Sequence, residues 1–242
     1  LEKSRLRPGK MLLADLRQGR MIDDRELKEG YAARQPYGEW LDANLVHLAD
    51  LPIPNRRVQR HSREALRRLQ KAFGYTYEDV NDTILPMAAT GAEPTAAMGV
   101  DIPLAVLDSR DRPLFSYFKQ LFAQVTNPPM DAIREEIVTD TTVFVADDGN
   151  LLREQPENCR VLQIHNPILT STDMMKIKSM DQPGFRVATV PILYYKNTPL
   201  DRALDHLEVA VDRAYRDGAN IIVLSDRGVD ENHVAIPSLL AV

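Results

Sequence analysis

"FRVATVPILYYKNTPLDRALDHLEVAVDRAYRDGANIIVLSD" occupies residues 185–226 and decides the fold class. Residues 185–195 are rich in Val, Ile and Tyr, the composition of a buried strand. Residues 198–218 carry the start and stop signals of a helix. Thr198 stands at the N-cap, Pro199 at the first helical position, Asp201 at capping-box spacing and Gly218 at the end. Leu200, Leu204, Leu207, Val211 and Ala214 recur at steps of four and three, which makes one apolar face. "NIIVLSD" (220–226) is a second buried strand. Strand, helix and strand with short links predict a βαβ unit, which requires parallel pairing and a right-handed crossover. The fold class read from this stretch is α/β, a mainly parallel sheet with flanking helices.

Upstream the signals are shorter. "CRVLQIHNPILT" (159–170) reads as a strand and "STDMMKIKSM" (171–180) as a short helix. "TTVFVADDGNLL" (141–152) reads as a strand that turns at Asp148 and Gly149. Residues 114–125 predict a helix with Tyr117, Phe118, Leu121, Phe122 and Val125 on one face, and that face is expected in the core. Asn127, Pro128 and Pro129 then impose a rigid, extended turn, since proline fixes its own φ and biases its predecessor away from helix. Residues 87–108 form a Gly- and Ala-rich connection that ends in an expected strand over 104–107.

Residues 62–74 predict a helix capped by Ser62, with Leu66, Leu69 and Phe73 on one face and Gly74 closing it. A second helix starts at Thr76, with Asp79 at capping-box spacing, and is disturbed at Pro86. Residues 52–60 read as a linker, and the segment before it as two helices around a turn at 35–38. Residues 10–22 place two apolar runs around Gln18 and Gly19, a hairpin signal. The N-terminal region is thus a small hairpin and helical extension.

The 242 residues carry a net charge of −5, which argues against a nucleic-acid binder. No apolar run approaches the roughly 18–20 residues of a membrane span, and no signal peptide is present. The single cysteine, Cys159, rules out an intrachain disulfide and cannot alone ligate zinc or an iron–sulfur cluster. A reducing cytoplasm is the expected location. The chain starts at Leu1 without Met and ends on the apolar "AIPSLLAV", so both ends are expected to be cuts within a longer polypeptide.

Candidate chemistry is sparse. "LSDRGVD" (224–230) lies beyond the carboxyl end of the last strand, where parallel α/β sheets bind ligands. Asp226, Arg227 and Asp230, near Gly228, there suit a phosphate or carboxylate site, or a charged turn fixed by an Asp–Arg pair; the turn is the stronger reading, because nucleotide cradles need several glycines before a helix N-terminus. The five histidines, His47, His61, His165, His206 and His233, form no HxH or HxxxH pair, so a metal site is not expected. Cys159 has no base near it in sequence and reads as structural. The run Arg56, Arg57, Arg60, Arg63, Arg67, Arg68 and Lys71 reads first as a solvated face, and second as an attractor for an anionic partner.

Several of these stretches together resemble the central domain of the large subunit of glutamate synthase. They are "RQPYGEWL" (34–41), "LPMAATGAEPTAAMGVDIPLAVL" (85–107), "YFKQLFAQVTNPPMDAIREE" (117–136), "NPILT" (166–170), "DGANIIVLSDRGVD" (217–230) and "IPSLLAV" (236–242). They keep the family's order over nearly the whole chain. The family tends to have Gly-Lys-Glu-Pro and Gly-Ser-Met-Gly-Asp-Asp where this chain has "GAEP" (91–94) and "AAMGVD" (96–101).

The resemblance implies an enzyme that releases ammonia from glutamine in an amidotransferase domain with an N-terminal Cys nucleophile. The ammonia passes inside the protein to an FMN barrel, adds to 2-oxoglutarate, and the imine is reduced to glutamate. An iron–sulfur cluster relays electrons from ferredoxin or a pyridine-nucleotide subunit. The central domain joins the two catalytic domains and resembles the FMN barrel in topology without binding flavin. Residues 1–24 are then expected to be tail strands of the amidotransferase domain, 25–60 a helical linker and 61–242 the central domain. The strands of 1–24 are expected to be disordered, re-docked or paired with another copy. No catalytic, cofactor-binding or metal residue is expected, FMN and the cluster lie outside the chain, and the chain alone is expected to be inactive. Its partners are the amidotransferase and FMN domains of the same polypeptide, with no nucleic acid and no membrane. Asn127, Pro128, Pro129, Asp226, Arg227 and Gly228 are the expected interface or ammonia-path residues. The rival readings are an independent flavin- or phosphate-binding barrel-like enzyme and an adaptor that binds through the arginine stripe.

Overall fold

A computed structural model describes residues 3–58, 60–96, 99, 102–124, 129–146 and 149–242. At the N-terminus β1 (Leu13–Asp15) pairs antiparallel with β2 (Arg20–Ile22), Leu13 facing Ile22, as the hairpin signal predicts. One carboxylate oxygen of Asp15 accepts the N–H groups of Arg17 and Gln18 at 2.8 and 2.9 Å and turns the chain. Helix α1 (Asp24–Ala32) comes next, capped by Asp23. The Asp24 carboxylate takes Lys28 Nζ and Lys10 Nζ, each at 2.9 Å, and the Met11 N–H at 3.0 Å. Those partners, Lys28 first, hold its carboxyl far below the usual range. They also tie Lys10 and Met11 to the start of α1.

The chain continues through α2 (Tyr37–Asn44), β3 (Val46–His47) and a 3₁₀ turn, Leu48–Asp50. Helix α3 (Arg63–Ala72) begins where Ser62 Oγ accepts the Ala65 N–H at 3.2 Å, and Gly74 leaves it at φ 76°. The Thr76–Asp79 capping box forms in both directions, at 2.8 and 3.1 Å. A π turn, Asp79–Ile84, then runs into α4 (Leu85–Thr90). Pro86 explains it: the ring clashes with the carbonyl four residues back in α geometry, and the wider turn removes the clash.

Two 3₁₀ turns, Ala105–Leu107 and Leu114–Phe118, correct the expected strand at 104–107 and the expected helix at 114–125. At the first, the Leu107 N–H closes on the Leu104 carbonyl at 2.9 Å, and among the described residues no strand lies beside it to take it. At the second, Lys119 turns extended at ψ 132°. Phe118 is 69% exposed, and Leu121 and Phe122 are exposed too. A helix this short draws its stability from packing its apolar face, and here that face meets no core. Val125, Asn127 and Pro128 lie outside the described residues, as does Asp148 of the expected turn. Helix α5 (Ala132–Val138), capped by Asp131, leads to β4 (Val143–Val145).

A 3₁₀ turn, Pro156–Cys159, precedes β5 (Leu162–Ile164) and α6 (Ser171–Lys178), whose N-terminus carries a Thr170–Asp173 capping box. Then come β6 (Val187–Pro191), β7 (Leu193–Tyr195), α7 (Leu200–Arg216), β8 (Ile221–Ser225), β9 (His233–Ala235) and α8 (Ser238–Ala241). The βαβ unit is present as β6–α7–β8, with β6 and β8 parallel from Val187 opposite Ile221 to Pro191 opposite Ser225. The single strand expected over 185–195 is two strands that change partner at Ile192. Its N–H still reaches the Ser225 carbonyl at 2.9 Å, while its carbonyl accepts from Ile236 at 2.8 Å and hands β7 to antiparallel β9. Thr198 does not cap α7. Its N–H closes a turn on the Tyr195 carbonyl at 2.7 Å, and Pro199 holds the cap position without a side-chain bond.

The expectation of a mainly parallel sheet with FMN-barrel-like topology is corrected. Among the described residues there are four small sheets, β1–β2, β3–β5–β4, β6–β8 and β7–β9, and no closed barrel. Parallel pairing is confined to β3–β5 and β6–β8. Closure needs successive staggered strands around a ring, and the segments that would supply them are 3₁₀ turns and short helices. Two cores result. Leu48, Leu51, Leu162, Ile164, Ile177, Phe185 and Ile221 form one, between the β3–β5–β4 sheet, α6 and the base of β8. Val190, Ile192, Ala203, Leu207 and Ile236 form the other, under α7.

Candidate functional site

Parallel pairing brings the carboxyl ends of β6 and β8 side by side, and the loop leaving β8 is the region where α/β sheets present ligand groups. Its clamp is Asp230. One Asp230 oxygen accepts the N–H groups of Asn232 and His233, each at 2.8 Å, and His233 Nδ1 lies 3.0 Å away. These bonds, led by the Asn232 N–H, hold the Asp230 carboxyl below its usual value. Lys196 Nζ donates to the Glu231 carbonyl at 3.0 Å, and the Tyr195 ring meets His233 edge-on at 6.3 Å. "DENH" (230–233) carries the turn signal in sequence, since Asp bonds backbone N–H groups two and three residues on.

Asp226 and Arg227 do not form the expected pair. Both are exposed, and neither side chain has an ion-pair partner among the described residues. Gly228 sits at φ 109°, and a Cβ there would come 3.1 Å from Leu193 Cδ1, so glycine is required for the turn. The loop leads into β9 and not into a helix N-terminus, so the stacked N–H groups that cradle phosphate are not assembled. Pro129 is exposed on the approach to α5, while Asn127 and Pro128 lie outside the described residues. The two expected surface regions are thus not brought together by any described contact.

Two hollows flank this end of the molecule. One of about 350 Å³ lies between α7 and β9, lined by His206, His233, Tyr195 and Thr198 over Leu207 and Ile236. The other, about 1090 Å³, is a cleft between residues 71–121 and the sheet end, where Ile192, Asp226 and Ile236 face Tyr75, Leu104 and Phe115. Cys159 is half-buried. Among the described residues no group of three His, Cys, Asp or Glu side chains is arranged to hold a metal ion. No helix of the described residues is long and apolar enough to cross a membrane.

The most telling feature is one that periodicity misread. Among the described residues of 52–160 none is buried. Ile133 and Ile137, one turn apart on α5, are 78% and 73% exposed. The whole chain exposes 19841 Å², against the roughly 11000 Å² expected of a compact monomer of its mass. Exposed apolar faces on this scale exceed what a soluble monomer ordinarily shows and mark candidate interaction surfaces.

Residues 68–242 match the family described as the glutamate synthase central domain, and residues 1–40 match the class-II glutamine amidotransferases. The chain is similar along its full length to the NADPH glutamate synthase large chain of Bacillus subtilis, at 41% identity, and spans 16% of that protein. It is 38% identical to ferredoxin-dependent glutamate synthase 2 of Synechocystis, again over its full length and 16% of the relative. The NADH glutamate synthase of Schizosaccharomyces pombe is 37% identical over the whole chain, which spans 12% of it.

Proposed function

This chain belongs to the glutamate synthase central-domain family, and from that premise we propose that it is the non-catalytic connector of a glutamate synthase. It joins a glutaminase domain to a flavin-containing synthase domain and helps wall the internal path of ammonia between them. The observation that carries this reading is the tandem match, amidotransferase family over residues 1–40 and central domain over 68–242, within one continuous chain. A division at 1–24, 25–60 and 61–242 keeps that order, while the amidotransferase match itself runs on to residue 40 and the central-domain match starts at 68. The large open surface of 52–160 supports it too, because a connector must offer faces to two neighbours.

The relatives are named for NADPH, ferredoxin and NADH, yet their identities to this chain are 41%, 38% and 37%. Similarity that is indifferent to the electron donor supports a role in the glutamine and ammonia half of the reaction. FMN and the iron–sulfur cluster are assigned to other parts of the polypeptide. The chain's one thiol, Cys159, cannot hold a cluster that takes several. A reducing cytoplasm suits that assignment.

Asp226, Arg227 and Gly228, with Asn127, Pro128 and Pro129, are the proposed interface residues. The test is the ratio of glutamate formed to glutamine hydrolysed in the complete enzyme. Asp226→Ala with Arg227→Ala is expected to raise hydrolysis relative to glutamate formation. A ratio unchanged by substitutions at both regions would remove the connector role from these surfaces.

A further inference from the structure

Residues 55–71, "NRRVQRHSREALRRLQK", hold seven cations and one carboxylate, Glu64. The rest of the chain then carries 34 acidic against 23 basic side chains, from totals of 35 and 30. Charge is therefore sharply segregated in a chain of net −5. Of the seven, Arg68 pairs with Glu64 at 2.8 Å. Arg56, Arg57, Arg60, Arg63, Arg67 and Lys71 are exposed and have no carboxylate partner among the described residues. Arg63, Arg67 and Lys71 lie one turn apart along α3, where like charges repel. Val58, Leu66 and Phe73 are exposed beside them, so apolar groups flank the charges.

We infer that this strip docks on an acidic, partly apolar surface of another region of the same polypeptide. The inference rests on the connector reading. Residues 41–67 lie between the two family matches, so most of the strip sits at the junction. The chain spans only 12–16% of its relatives' length, so in a polypeptide of that size most of the protein surface available to the strip lies outside residues 1–242. Helix α3 reaches ~15 Å and the seven residues of chain before it span at most ~25 Å more, enough to cross the face of a domain. The chemistry selects a compact acidic patch over a phosphate polymer or an anionic bilayer. Either of those would run past the strip and meet the surplus of carboxylates around it. The exposed Val58, Leu66 and Phe73 also suit a protein face better than a phosphate backbone.

The experiment is carbodiimide crosslinking of the complete polypeptide, which joins an amine to a carboxylate only in direct contact, read by mass spectrometry. Lys71 is expected to crosslink to Asp or Glu outside residues 1–242 of the same molecule. The yield should fall about fivefold in ~0.5 M NaCl, where exposed charges are screened. Arg63→Glu with Arg67→Glu should reduce it similarly, and Lys71→Arg should abolish it while keeping the charge. Crosslinks confined to residues 1–242, or formed only between copies, would overturn the inference. So would salt-sensitive binding of the complete polypeptide to heparin or to phosphatidylserine vesicles that the same double substitution removes. The glutamate-to-glutamine ratio is read on the Asp226 and Arg227 variants, which leave the strip intact, so the two proposals fail separately.

Discussion

Residues 161–242 and residues 52–160 differ in one physical respect. The first region holds twelve of the chain's buried apolar residues; the second, among its described residues, holds none. Both contain amphipathic helices. Helix α7 lays Ala203 and Leu207 on β6 and its neighbours, so its stripe is satisfied within the chain. Helices α3 and α5 bury no residue: Leu66 on α3 and Ile133 and Ile137 on α5 are exposed. Amphipathicity records that a face will be covered. It does not record which molecule, or which part of one, will cover it.

The largest test of that contrast is Leu162→Ala. Leu162 is wholly buried, and its loss should cost ~2–5 kcal/mol, read from the denaturant midpoint. Gly184→Ala should come next. Gly184 sits at φ 88°, and a Cβ there would fall 2.1 Å from Arg160 Cδ, so a loss above ~1 kcal/mol is expected in the same assay. Asn220→Ala removes a bracket at the open end of the βαβ unit. Its Nδ2 donates to the Gly184 carbonyl at 2.7 Å and its Oδ1 accepts the Arg186 N–H at 2.8 Å, so about 1–3 kcal/mol should go.

Acid should loosen the β8–β9 loop before the cores. The Asp230 carboxyl is lowered in the folded chain, so its contribution is fully present above the ordinary value near ~3.9 and is lost as pH falls through the lowered one. Amide exchange at Asn232 and His233 is the measurement, and Asp230→Asn should reproduce the acid behaviour at neutral pH. The smallest effect is expected at Phe118→Ser, within ~0.5 kcal/mol for this chain. In the complete polypeptide the same change should cost clearly more. Equal costs in both settings would mean that nothing covers the surface around Phe118.

Much of the local architecture was legible. The hairpin at 10–22, the Ser62 cap, the Thr76–Asp79 box and the βαβ unit all arise from residues a few positions apart. The misreadings share a cause. The strand expected at 104–107 had no edge to join, and the helix expected at 114–125 had no core to lie on. Thr198 had the right spacing for a cap, but the tight turn out of β7 took its N–H. The Asp226–Arg227 pair was reasonable by proximity, yet Asp230 satisfied the loop first.

Residue order alone was enough for the α/β class, the Ser62 cap and the Thr76–Asp79 box, because those depend on periodicity and short-range hydrogen bonding, and the quoted motifs were enough for the family. The partner switch at Ile192, the division into two cores and the lack of burial among the described residues of 52–160 came from the fold. Each depends on groups far apart in the chain, or on protein beyond its described contacts, and burial energy is set by what finally meets a surface and not by the pattern that prepared it.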